Sequence, residues 1–498
     1  MLGGRTGQRS QTGAATSPDR QLRFGMPPFS IRRPLPAATV IAFAALGSSE
    51  PALGAQATSE PVLDTAAIDK AIGDEMRATH TPGVALAVIS GGKVVYSKGF
   101  GVSNVETGEP VTPDMLFRIG SVTKMFTGLT AVLLERDGRV KLGAPIGSYA
   151  QGLHPVLGAR TLDQLLEHTG GMIAEAAGDG PHDDSALGER MRSWGREHTF
   201  AEPGDIYSYS GPGYWLAGYA IEQAAGAPFA DVVAEKVLAP LGMRRSTFRP
   251  LMAMTWPLAL DHRMTGDSVR LLRPYPDDVT TWASGSLFSS ATELARFAIA
   301  LVDGGRLDGQ QVIPAEAIRI MHTRQSAVPG APCGYTYGLS ECQFGGVRTL
   351  SHYGFRIGSG AVFTVAPERP AGVIILANRN GAIFGRTAQV VMSMLAPSRE
   401  DAPESGPRPV AFDAAGRRRF AGMYVAGRDT LRVEARGDSV VYRYGLTEQR
   451  TRADASDSTS ILILGQDGNV VQQFSLVRGR DGRTEYLHDG LNAFRRVR

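Results

Sequence analysis

Ser121-Val122-Thr123-Lys124 sets a hydroxyl and an amine three residues apart. On a helix, residues at this spacing share one face. Ser121 follows Gly120 at the start of the pattern, where free backbone N–H groups and the helix dipole favour negative charge. A serine hydroxyl is a weak nucleophile until a neighbouring group takes its proton. A lysine enclosed in a pocket near other cationic or donor groups has its ammonium form disfavoured and is suited to be that base. The pair alone reads more readily as a serine N-cap followed by a solvated lysine, since so short a pattern is common by chance. Other chemistries lack their signatures. The chain has no G-x-S-x-G elbow, no H-E-x-x-H pair and no phosphate-cradling loop. His154, His168 and His182 therefore read as surface or capping residues, His168 as a cap at a helix C-terminus.

The elements that must carry the pair are legible around it. A helix is predicted over Ala66 to Met76. Val84 to Ile89 and Val94 to Tyr96 form a hairpin across Gly91-Gly92. A long helix runs from Ser121 to Glu135 and stops at Asp137-Gly138. Further helices are predicted at Leu162–Glu167, Tyr214–Ala225, Phe229–Val237, Ala291–Asp303 and Ala315–Met321. Strands are predicted at Val347–Leu350, Gly360–Val365 and Gly372–Ala377. Helices in the middle with strands at both ends predict one α/β domain whose sheet is built from the two ends of the segment.

Several further segments recur in a fixed order: Pro82-Gly83-Val84, Gly99-Phe100-Gly101, Phe117 through Lys124, Thr161 through Gly171, Pro203-Gly204 with Tyr209-Ser210, and Pro240-Leu241-Gly242-Met243. Over roughly Val62 to Pro397 this order resembles the serine β-lactamase and penicillin-binding protein superfamily, in the class C branch that also holds D-alanyl-D-alanine carboxypeptidases, D-aminopeptidases and esterases. The resemblance implies an antiparallel sheet flanked by helices plus an all-helical region. It implies a serine hydrolase acting through an acyl-enzyme on Ser121 and needing no metal or organic cofactor. The expected substrates are small peptides, esters or β-lactams.

The resemblance also assigns roles. Tyr209 matches the family tyrosine that exchanges protons beside the lysine, with its pKa drawn down by the cation; Tyr207 is the alternative, as is a packing role for Tyr209. His352-Tyr353-Gly354 matches the third family element. His352 is expected to donate to the tyrosine or to a substrate carboxylate, or else to be a polar residue ending a strand. Gly354 is expected to let the substrate backbone approach. The N–H groups of Ser121 and Phe355 match the oxyanion donors. Arg356 is either a carboxylate ligand or a surface residue. One departure stands out: Gly211 occupies the place of the family asparagine that binds the substrate amide and steadies the lysine. That weighs against efficient β-lactam hydrolysis and leaves a non-catalytic binding or sensor protein as the alternative.

The chain of 498 residues has room for two or three domains. It is 43% hydrophobic and 20% charged, with a net charge of +3 and no basic block, which argues against nucleic acid as a partner. Its two cysteines, Cys333 and Cys342, are either bridged through a turn or two ordinary thiols. Arg32-Arg33, the apolar run Leu35 to Leu46 and Ala55-Gln56-Ala57 read as a secretory signal over residues 1–57, with an uncleaved anchor as the alternative and Met26 as a candidate start. The protein is therefore expected to be exported, to the periplasm or beyond. Residues 58–396 then form the hydrolase domain and 397–409 a proline-rich linker. Residues 410–498 form a β-rich domain with regularly spaced turns, a small barrel or sandwich through which a homo-oligomer is expected to form.

Overall fold

The computed structural model describes residues 63–498, except 176–177, 324–325, 330–332, 399–412, 428, 438, 445–446, 458, 465–469 and the last residue. The predicted targeting segment and most of the predicted linker lie outside the described residues.

The hydrolase-like part is organised by one eight-stranded antiparallel sheet. Its strands run in the order Lys93–Gly101, Gly83–Ser90, Ala371–Ala377, Ser359–Ala366, Val347–Arg356, Ser340–Phe344, Gly334–Tyr335 and Ser326–Ala327. Both ends of the segment thus supply the sheet, as the sequence pattern implied. Successive side chains of a strand point to opposite faces, and the Gly83–Ser90 strand is apolar at nearly every position. Ala85, Ala87 and Ile89 enter one core, which also holds Val122, Phe126 and Leu294. Val84, Leu86 and Val88 enter a second, with Ile68, Ile72 and Val391. The helices Lys124–Arg136 and Ala291–Val302 cover the first face, and Thr65–Thr79 and Gly385–Leu395 cover the second. Asp64 caps the Thr65–Thr79 helix by accepting from the Ala67 N–H at 2.9 Å.

Two boundaries differ from expectation in ways that matter. The predicted Ser121–Glu135 helix begins as a 3₁₀ turn, Gly120–Thr123, and becomes α-helical only at Lys124. Gly120 has φ of +52°, left-handed backbone that glycine adopts without strain. The strand predicted over Val347–Leu350 continues to Arg356, because its backbone goes on pairing with the next strand as far as Arg356 with Ser359. The alternatives for the cysteines resolve to a disulfide: Cys333 and Cys342 are bonded, with Cα atoms 4.4 Å apart.

After the helix Ala414–Phe420, eight antiparallel strands from Gly422–Ala426 to Ala493–Val497 close on themselves as a barrel. The first pairs with the last through Met423 and Val497. Its interior is filled by Phe420, Tyr424, Leu431, Ile461, Leu487, Phe494 and their neighbours. Among the described residues, no helix is long and apolar enough to cross a membrane.

Candidate active site

The site forms where the 3₁₀ turn at Gly120–Thr123, the open edge of the Val347–Arg356 strand and the segment before the Gly211–Ala225 helix meet. On one flank, strand pairing of Val347–Arg356 ends at Ser351 with Ser340. On the other it continues to Arg356 with Ser359. Residues 352–356 thus have no strand neighbour on the first flank, and the 3₁₀ turn packs there. Two glycines permit the approach. A Cβ at 354 would lie 1.9 Å from the Ile119 carbonyl oxygen, and one at 120 would lie 2.4 Å from the Phe355 nitrogen. Gly354 therefore serves contact between two segments of the chain itself, whereas it was expected to make room for substrate. The result is that the backbone nitrogen of Phe355 lies against Gly120, the residue before Ser121.

Lys124 lies beneath Ser121, 1% exposed. Its Nζ donates to Ser121 Oγ at 3.1 Å and to the Ser284 carbonyl at 2.8 Å. Burial brings its pKa down from 10.5 to about 7. Desolvation is the whole cause; the neighbouring cations expected from the sequence take no part. Its Nζ is 4.8 Å from the centroid of the Tyr209 ring and 5.2 Å from that of Tyr214, so with Ser284 the segments around 124, 209–214 and 284 converge. Tyr209, and not Tyr207, faces the pair. Tyr207 is turned into a cluster with Val328 and Tyr335.

The proton inventory corrects two expectations. The Tyr209 phenol is pushed above its ordinary pKa by burial, and its interaction with the Ser121 hydroxyl only partly opposes this. The cation does not draw it down, so it stays protonated at neutral pH. His352 does not donate to Tyr209 or stand ready for a carboxylate. Its Nδ1–H donates to the Tyr353 carbonyl at 2.7 Å, and its Nε2 accepts from the Tyr335 hydroxyl at 3.0 Å. Both nitrogens are occupied, and burial first, then Lys124, lower its pKa to about 3.

His168 is the residue that sequence reasoning misplaced. Its backbone is left-handed, φ +62°, just past the helix Leu162–Leu166, consistent with a terminal cap. Its side chain, however, is buried at 2% exposure and packs against Tyr209, Tyr335 and Tyr214 at 4.3, 4.7 and 5.1 Å between centroids. Nδ1 accepts from the Ser210 N–H at 3.1 Å. Burial holds its pKa well below the usual value, so it adds no charge near Lys124. The Glu167-His168-Thr169-Gly170-Gly171 motif was a signal available in the sequence, but a short polar motif at a helix end reads as solvent-facing unless the tertiary partners are known.

Arg356 is 6% exposed and so is not a surface residue. Its Nη1 donates to Thr281 Oγ1 at 3.1 Å. Burial, then the nearby Arg118, lower its pKa to about 10. Arg118 itself pairs with Asp277 at 3.0 Å. This buried charge network braces the segment 277–286, which supplies the Ser284 carbonyl to Lys124. Gly211 opens the helix Gly211–Ala225, with Ser210 as its cap. A Cβ there would meet the Glu175 carbonyl at 3.4 Å and Trp215 at 3.6 Å, ordinary contact, so the place of the missing asparagine side chain is sterically open. Among the described residues, no group of three or more His, Cys, Asp or Glu could hold a metal ion.

This fold and this arrangement agree with what comparison shows: residues 68–391 match the Beta-lactamase family model, and the chain belongs to that family. Penicillin-binding protein 4 of Amycolatopsis lactamdurans is 26% identical over 355 residues, covering 66% of this chain and 91% of that protein. Two solved structures share the fold over 87% of the chain. One is SurE, at 24% identity and TM-score 0.69 over 98% of its length. The other is the octameric penicillin-binding protein homologue from Pyrococcus abyssi, at 24% identity and TM-score 0.60 over 100% of its length.

Proposed function

We propose that the protein is an exported serine hydrolase of class C type that forms an acyl-enzyme on Ser121. The observation that carries this reading is the buried Lys124 ammonium, 3.1 Å from Ser121 Oγ with its pKa lowered to about 7. In the proposed cycle neutral Lys124 takes the Ser121 proton as Oγ attacks a carbonyl carbon. The Ser121 and Phe355 N–H groups hold the oxyanion. Tyr209, protonated because burial raises its pKa, gives its proton to the leaving group and is reprotonated through Lys124. Water, deprotonated by the same pair, then releases the acid and restores the Ser121 hydroxyl. No step in this cycle calls for a metal or an organic cofactor.

Gly211 favours esters over amide substrates, β-lactams among them, since no side chain is present there to orient a substrate amide. The same residue favours the alternative of a binding protein that keeps the fold without turnover. Export is supported by the signal-like Arg32 to Ala57 pattern and by the Cys333–Cys342 disulfide, which belongs in an oxidising compartment. Self-association through the C-terminal barrel is part of the proposal.

Incubating the protein with p-nitrophenyl esters, D-amino acid peptides and a chromogenic cephalosporin separates these readings. Repeated product release that disappears in Ser121→Ala supports the hydrolase. One stoichiometric burst, or no release with any acyl donor, favours the binding protein.

A further inference from the structure

The barrel meets the segment carrying Tyr209 chiefly through the hairpin Glu485–His488 turning into Ala493–Val497. Residues 205–210, which lead into Tyr209, lie between this hairpin and His168. On the His168 side, the Ser208 N–H donates to the His168 carbonyl at 2.8 Å and the Ser210 N–H to its Nδ1 at 3.1 Å. On the barrel side, the Tyr209 N–H donates to the Leu491 carbonyl at 2.8 Å. His488 Nε2 bonds the Tyr207 carbonyl at 3.1 Å, and the Ala493 N–H donates to Ser208 Oγ at 3.1 Å. The backbone contacts alternate residue by residue, as in a short extended strand clamped from both sides.

His488 is the polar keystone of the barrel side. It is completely buried. A carbonyl can only accept, so Nε2 carries the hydrogen toward Tyr207. Nδ1 accepts from the Gly490 N–H at 3.0 Å. One neutral tautomer therefore ties the hairpin turn to the tyrosine segment. An apolar seam of Phe200, Ile206, Tyr486 and Ala493 seals the junction, and Tyr486 donates to Asp205 at 2.7 Å.

We infer that the C-terminal barrel is part of the catalytic apparatus, and that His488 is a positioning residue which fixes the Tyr209 phenol over Ser121 and Lys124 through the backbone of residues 207–209. This rests on the proposed hydrolase reading. A tyrosine that must first receive and then return a proton is sensitive to displacement, since a shift of about 1 Å at a catalytic group can cost about 100-fold in rate.

The test uses the full chain. His488→Ala removes the donor to Tyr207. The expected result is a 10- to 100-fold loss in kcat on the best ester or peptide, little change in KM, and substantial recovery in His488→Gln, whose amide offers a donor at a similar reach. In a Tyr209→Phe background, His488→Ala is expected to cost almost nothing more, because the group it positions is already gone. A residue that merely supports folding would impose its loss in both backgrounds. Ser208→Ala, which removes the acceptor for the Ala493 N–H, is a milder second variant with the same expected non-additivity, and it decides the matter if His488→Ala fails to fold. Wild-type kcat in a folded His488→Ala or Ser208→Ala, or an undiminished loss in the Tyr209→Phe background, overturns the inference alone. Absence of Ser121-dependent turnover in the wild type overturns the underlying hydrolase reading, and this inference with it.

Discussion

Consider the rate of Ser121 acylation as pH is varied. An ordinary lysine at 10.5 would be neutral in about one molecule in a thousand at pH 7.5, whereas Lys124, at about 7, is neutral in about three of four. The difference corresponds to about 5 kcal/mol against the charged form, supplied by burial alone. The sign follows directly: the active form is the amine, so kcat/KM rises with pH through about 7 and levels above it. His352 and His168 do not confuse this limb, because burial holds both neutral across it. Tyr209, raised by burial, is not titrated in this range. The assay is stopped-flow acylation by a p-nitrophenyl ester from pH 5 to 9.5. A single inflection near 7, and a loss of about 100- to 10,000-fold in Lys124→Met, are expected. A flat profile up to pH 9, or an inflection retained in Lys124→Met, would refute the assignment of Lys124 as base.

Other consequences are equally open to measurement. Because the unfolded chain holds a proton on Lys124 that the folded chain releases between about 7 and 10.5, stability rises with pH over that window; denaturant titrations should show the wild type gaining on Lys124→Met from pH 7 to 10. Gly211→Asn should raise amide or β-lactam turnover relative to ester turnover, and an unchanged ratio in a substrate panel counts against the assigned role of Gly211. Gly354→Ala drives a methyl toward the Ile119 carbonyl, 1.9 Å away before relaxation; a fall of at least 100-fold in acylation, or loss of the folded state by circular dichroism, is expected. Replacing Cys333 and Cys342 by serine opens a loop closed at a separation of nine residues and should lower stability by about 2.5 kcal/mol in urea titrations.

Much of this was legible in the sequence, for physical reasons. Val84–Ile89 is apolar throughout, so a strand buried on both faces was the natural reading, and the sheet shared between chain ends followed from helices lying between strands. The Ser121–Lys124 spacing pointed to the proposed nucleophile and base only in the company of the other segments that resemble the family, since alone it also fits a capped helix start. Less legible was anything set by burial in three dimensions. The Tyr209 pKa moves up and not down because buried rings crowd it, and no local pattern reports that. His352 was read as a free donor, yet Tyr335, seventeen residues earlier, occupies one of its nitrogens. Arg356 and His168 are polar residues at element ends, a context that usually means solvent, and both are buried by segments far away in sequence. The bond between the Tyr209 N–H and Leu491 spans most of the chain, beyond the reach of any periodicity.

The most direct check is to label the protein with a fluorescent penicillin or fluorophosphonate, digest it, and map the adduct by mass spectrometry. A single acylated or phosphonylated site at Ser121, absent from Ser121→Ala but kept in a surface serine-to-alanine control, is the predicted result. A modification on any other residue, or labelling that survives Ser121→Ala, would contradict it.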